Sequence, residues 1–254
     1  MIDPQRAFVH TMTDGTKRLE ALEKELVWQF FGCKREGFFI EVGANDPSGG
    51  SQTWLLEQNG WRGILVEPLS GLYGKLVSAR PRSKVWQAAC SGPDKCGTAV
   101  LHVASHDGFS TLQPQGDSQG VEFNRTETVQ VVTLDDILEK EGNPRVDFVS
   151  IDVEGGEVEV LRGFSLERHQ PALVLIEDGV RNLDKHRAMT ARGYKLVKRT
   201  VLNNWYVPRE TQFAMATLGE RLELFRKMYL ATPIRKWRLA VRRRGQKRAG
   251  RVQP

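Results

Sequence analysis

The spacing of apolar positions changes along the chain, and each change marks an element. Residues 16–31 place Leu19, Leu22, Leu26, Val27, Phe30 and Phe31 on one helical stripe with Lys and Glu between them, which predicts an N-terminal helix packed on a core. The run Phe38-Phe39-Ile40-Glu41-Val42 is of buried-strand type and breaks at Gly43-Ala44-Asn45-Asp46-Pro47-Ser48-Gly49-Gly50. A helix is expected over 51–58, a strand at Gly63-Ile64-Leu65-Val66 ending on Glu67-Pro68, and a helix over 69–79. Further strands are expected at 84–89, 98–103 and 129–132, followed by a helix at 134–140. Between 105 and 126 the chain is polar, contains glycine and has no period, the mark of a lid or substrate loop. A buried strand, 146–151, runs into Asp152-Val153-Glu154-Gly155-Gly156, and a helix carries Val158, Leu161 and Arg162. A strand at 172–176 ends on Glu177-Asp178, a helix covers 182–192, and 195–207 alternates as a closing hairpin.

Strands alternating with helices predict an α/β domain, a mostly parallel sheet covered on both faces. Ligands in such sheets bind beyond the carboxyl ends of the strands. Here those ends carry Glu41 to Asn45, Glu67, Asp152 to Glu154, and Glu177. A glycine turn lets backbone approach a ligand, and an acid some twenty residues on accepts ribose hydroxyls; Glu67 stands 24 positions after Gly43. Nicotinamide-cofactor enzymes share that spacing, but the loop lacks the G-x-G-x-x-G pattern that brings a helix N-terminus onto a pyrophosphate. A nucleoside without phosphates fits better.

Three segments, Phe39 to Asp46, Gly60 to Pro68 and Asp147 to Glu157, resemble in order and spacing the motifs of the FkbM family of methyltransferases. The resemblance covers residues 37–207. It implies a Rossmann-like class I methyltransferase fold with a seven-stranded, mostly parallel sheet, S-adenosylmethionine as methyl donor, and O-methylation of sugars, polyketides or related metabolites. By the same resemblance Glu41, Gly43, Ala44 and Asn45 would line the methionine end of the donor, Glu67 would hold its ribose, with Pro68 and Ala89 beside it, and Asp152 and Glu154 would stand next to the methyl group. Pro47 departs from the common pattern, where many relatives have glycine. Methyl transfer to a hydroxyl needs a group to receive the proton; Glu154 is the expected base, with Asp152 positioning donor or acceptor. His106, in the loop after the strand at 98–103, is the expected histidine contact to the acceptor. Paired acids also share protons or bind cations, so Asp152, Glu154 and Glu177 form a less favoured divalent-metal alternative.

Composition adds less. At 40% hydrophobic and 27% charged residues the chain has the make-up of a soluble globular protein. Its N-terminus has no apolar leader, so a cytoplasmic location is expected. Cys33, Cys90 and Cys96 form no C-x-x-C pair, which argues against zinc or a disulfide framework. The net charge of +6 is a property of the tail: residues 233–254 carry nine Lys or Arg and no acid, leaving 28 bases against 31 acids elsewhere. The chain thus divides into an N-terminal helical extension (1–36), a methyltransferase domain (37–208) and a helical, basic extension (209–254). In the last, Ile234, Trp237 and Val241 fall at helical spacing among arginines, so an interfacial helix on anionic lipid and a solvated tail are equal readings. Nucleic acid is disfavoured as a partner because no base-stacking array accompanies the charges. Two other functions remain: an RNA methyltransferase using the basic tail, and a non-catalytic binding module acting through its C-terminal helices.

Overall fold

The computed structural model describes residues 18–105, 108, 110–112, 122–179, 182–200 and 202–230. Helix α1 spans 18–30. It precedes β1 (Phe38–Val42), α2 (Trp54–Gln58), β2 (Arg62–Val66), α3 (Ser70–Ala79), β3 (Ser83–Trp86) and β4 (Ala89–Cys90). Then come β5 (Gly97–Ala104), β6 (Phe123–Val132), α4 (Leu134–Lys140), β7 (Phe148–Ile151), α5 (Glu157–Arg162) and α6 (Leu166–His169). The chain continues through β8 (Leu173–Glu177), α7 (Asp184–Ala191), β9 (Tyr194–Thr200), β10 (Asn203–Pro208) and α8 (Leu218–Phe225), which runs into a π-helical turn (Arg226–Leu230).

The main sheet has seven strands in the order β3-β2-β1-β7-β8-β10-β9. β1 pairs in parallel with both β2 and β7, β2 with β3, and β7 with β8. Only β10 runs antiparallel, between β8 and β9. This is the Rossmann-like class I methyltransferase architecture that the motif resemblance implies. From β1 the chain proceeds outward one way to β2 and β3 and the other way from β7 to β8, so the loops after β1 and β7 diverge and leave a crevice between them.

Alternate residues of a strand face opposite sides, and both sides here are apolar because helices cover both. Ile40, Val42, Ile64, Val149, Ile151 and Val174 pack on Ile137, Leu161 and Met189 of α4, α5 and α7. Phe39, Leu65, Phe148 and Leu175 pack on Val27, Leu56 and Leu76 of α1, α2 and α3. Trp61 is fully buried there, as expected of a core tryptophan, and donates Nε1 to the Lys34 carbonyl at 2.8 Å.

One feature was hidden in the sequence. The stretch expected as a single strand, 84–89, splits: β3 joins the main sheet, whereas β4 pairs with β6 in a second, three-stranded sheet, β4-β6-β5. β6 begins at Phe123, inside the stretch read as unpatterned up to 126. Its first half, Asn124-Arg125-Thr126-Glu127-Thr128, has no buried face to write an alternation. This sheet has its own core of Leu101, Val103, Val129 and Val131 against Leu69 and Leu72. Helix α2 starts at Trp54, so Ser51, Gln52 and Thr53 stay in the preceding loop, with chemical consequences.

Candidate active site

The loop after β1 is built from its backbone outward. Gly43 has φ +81°, and a Cβ there would lie 1.7 Å from the Asp152 carbonyl oxygen at the end of β7. Glycine is therefore required where β1 and β7 converge. The next residues turn on Asn45, itself left-handed at φ 48°. Both Glu67 oxygens pin the site from β2: Oε2 accepts the Asn45 N–H and Oε1 the Leu69 N–H, each at 2.9 Å.

Glu41 sits in the same wall but its carboxylate faces inward chemistry. It accepts Ser51 Oγ at 2.8 Å, Thr53 Oγ1 at 2.5 Å and the Gln52 N–H at 2.7 Å. Behind these is the fully buried Arg80, 4.0 Å from Glu41 and 2.5 Å from Glu57 Oε2. Arg80 also donates to the Pro47 carbonyl, Ser51 Oγ and Thr53 Oγ1, and stacks between Phe39 and Trp54. A buried cation with this many acceptors holds the 45–53 loop as one rigid piece. The Glu41 oxygens are thus engaged by that loop.

The end of β7 gathers acids. Asp152, Glu157 and Glu177 present oxygens within 4.8 Å of one another. Asp152 and Glu177 share a hydrogen bond. Asp152 is solvent-accessible, but through the cavity it lines, and the protein around it withdraws it from bulk water. That desolvation, reinforced by Glu177, Glu154 and Glu157, raises its carboxyl well above the ordinary aspartate value. Glu177 is raised as well, by burial and then by Glu157, against the opposing pull of Lys185. The Lys185 ammonium balances the group, 2.7 Å from Glu157 Oε2 and donating to the Glu177 carbonyl at 2.7 Å.

Glu154 stands apart from this trio. It adopts φ 52°, a left-handed conformation unusual for glutamate, and its carbonyl accepts Thr111 Oγ1 at 3.1 Å. The acid cluster is thus Asp152, Glu157 and Glu177, where the sequence reading paired Asp152 and Glu177 with Glu154. Glu157 looked like a helix N-terminal acid, and at the start of α5 it is one; its burial is what recruits it. Lys185 carried no spacing signal, because it is brought in by the fold across from α7.

Between these walls lies a cavity of about 1130 Å³, open mouth included. Glu41, Gly43, Ala44, Asn45, Glu67 and Pro68 line one side. Ala89 and Cys90 of β4 line the next, and Asp152 and Glu154 the far end. Burial pushes the Cys90 thiol up to about 12, so it is an inert wall residue. Leu101 of the second sheet and Thr111, bridged to His102 of β5, extend the lining. Asn203 of β10 also lines the cavity, a residue the sequence reading missed. Its Nδ2 donates at 2.8 Å to Glu23 of α1, which is buried and is also bonded by Thr200 Oγ1. Burial raises the Glu23 carboxyl. His106 lies outside the described residues.

The donor set suits a cationic nucleoside. Glu67 supplies carboxylate oxygens in a wall that needs glycine for close approach, and the acid cluster opposite favours positive charge. S-adenosylmethionine, a sulfonium with ribose hydroxyls and no phosphate, fits such a lining. Glu67 and the Gly43 to Asn45 backbone would hold the nucleoside and amino acid parts, and Asp152 would face the cationic end.

Comparison with known proteins agrees with this chemistry. The family model described as Methyltransferase FkbM domain matches residues 41–196. Among solved structures, the chain is similar to a precorrin-6y C5,15-methyltransferase from Geobacter metallireducens GS-15, at 14% identity and a TM-score of 0.40, covering 74% of this chain and 84% of that one. It is also similar to a TehB-like SAM-dependent methyltransferase from Corynebacterium glutamicum ATCC 13032 Kitasato, at 10% identity and a TM-score of 0.41, covering 81% of this chain and 100% of that one. Likeness at that level says nothing of substrate. No curated protein matches the chain. With more than half of its length matched by that model, the chain belongs to the FkbM family and is an S-adenosylmethionine-dependent methyltransferase.

Proposed function

We propose that the enzyme methylates a hydroxyl group on a glycan or other small metabolite. The observation that carries the reading is the Asp152 carboxylate, set within 4.8 Å of Glu157 and Glu177 oxygens at the end of a cavity that also presents Glu67. A hydroxyl is a poor nucleophile and must lose its proton as the new bond forms, so a base beside the acceptor is worth about a hundredfold or more. An amine or a nucleobase nitrogen with a free lone pair has less need of one. Bound S-adenosylmethionine supplies an electrophilic methyl group. The chain's own part is to hold the acceptor oxygen in line, exclude water and receive the proton.

Asp152 is favoured over Glu154 for that last task. A base works best when its pKa lies near the working pH, and withdrawal from water, reinforced by Glu177, Glu154 and Glu157, raises Asp152 in that direction. Glu177, bonded to Asp152, offers a second place for the proton. Glu154 then orients the acceptor from the loop that Thr111 ties to the second sheet. A metal on Asp152, Glu157 and Glu177 is less favoured, since Lys185 already supplies their cation.

The test is transfer of tritiated methyl from S-adenosylmethionine to panels of glycans, hydroxylated metabolites and total RNA. Label in an alkali-stable ether on a glycan or metabolite supports the proposal. Label only in RNA contradicts it, and donor binding without transfer to any panel favours the non-catalytic reading.

A further inference from the structure

Helix α8 exposes the side of itself that a soluble helix ordinarily hides. Spacings of four, three and four residues place Leu218, Leu222, Phe225 and Tyr229 in one row. They are 84%, 72%, 53% and 44% exposed. The helix is held to the domain by buried Met228, by the Lys198 to Glu220 pair at 2.6 Å and by the Tyr229 hydroxyl, 2.8 Å from His186 Nε2, which leaves Leu218, Leu222 and Phe225 as its exposed apolar row. Its two acids are neutralised, Glu220 by Lys198 and Glu223 by Lys227 at 2.9 Å. Exposed Arg221 and Arg226 flank the apolar row on either side. Just beyond, residues 233–254 carry nine Lys or Arg, no acid, and Trp237.

We infer that this row is a docking surface for an anionic lipid bilayer: Leu218, Leu222 and Phe225 enter the headgroup boundary while Arg226 and the basic residues of 233–254 supply the attraction to lipid phosphates. Apolar burial and electrostatic attraction add in such helices, and neither suffices alone. Other occupants fit less well. The groove beneath α8 is lined by Lys195 and Arg221, which repel the chain's own cationic tail. A second copy seated on this face would bring two such tails side by side. A nucleic acid would use the charges but leave Leu218 and Leu222 in water.

The experiment is co-sedimentation of the full chain with vesicles of phosphatidylcholine alone or mixed with phosphatidylglycerol. The expected result is binding only to the mixed vesicles, weakened by salt. A Leu218→Glu/Leu222→Glu variant, altered at exposed positions, should keep its S-adenosylmethionine binding and lose about tenfold or more in vesicle affinity. Truncation at Thr232 should remove binding. The inference is overturned if the mixed vesicles are not bound, if the double variant binds them as the unaltered chain does, or if RNA strips the protein from them.

Discussion

At the residue scale the behaviour of the site turns on Asp152. Its carboxyl is held above the ordinary range because the cavity walls withdraw it from bulk water and neighbouring acids penalise its charge. The sign follows directly: from the ordinary aspartate value upward the native state keeps a proton that the unfolded chain has lost, so this group's contribution to stability falls as pH rises through that window. Donor binding runs the other way. Loss of the proton leaves a negative site for the sulfonium, so affinity for S-adenosylmethionine should increase with pH across the same window, while that for uncharged-sulfur S-adenosylhomocysteine changes less; calorimetric titrations at stepped pH check this. Asp152→Asn should flatten that pH dependence and lower methyl transfer by about a hundredfold or more. Gly43→Ala is a separate kind of change. Its Cβ would overlap the Asp152 carbonyl in a left-handed backbone, at a cost of about 3 kcal/mol or more, visible as a fall in Tm.

At the element scale, the loop between β1 and α2 is held by Arg80, and the prediction there concerns stability before catalysis. Arg80→Met should cost about 3–5 kcal/mol, because Glu57 stays buried with its main cation gone; urea unfolding measures it. Elements with a buried face were legible in the sequence. β1, β2, β7 and β8 are continuous apolar runs because both faces are covered, and their terminal acids were visible for the same reason. What escaped were elements whose partners are remote. Half of β6 is solvent-facing and leaves no period. Lys185 reaches the acid cluster, and Asn203 the cavity, because α7 and β10 fold back beside β8. Glu157 was visible but its burial was not, so its place beside Asp152 and Glu177 escaped, whereas Asp152 and Glu154, expected together, both line the cavity.

At the scale of the whole molecule, parts outside the matched segment help build the site. The segment ends at 196, yet Asn203 lines the cavity and is bonded to Glu23 of α1, while Lys24 Nζ donates to the Ser48 carbonyl at 2.5 Å. The N-terminal helix is thereby tied to both the donor loop and the β9 to β10 turn. Among the described residues no helix is long and apolar enough to cross a membrane, so contact with lipid through α8 would be peripheral. All of this converges on one cavity between diverging loops, with Glu67 on one wall and Asp152 on the other. The most direct test is calorimetric titration with S-adenosylmethionine and S-adenosylhomocysteine of the full chain and of Glu67→Gln, which keeps one acceptor for the loop but loses the charge. One site is expected for each ligand, weakened about tenfold or more in the variant. No binding of either ligand, or equal binding by the variant, would contradict that expectation.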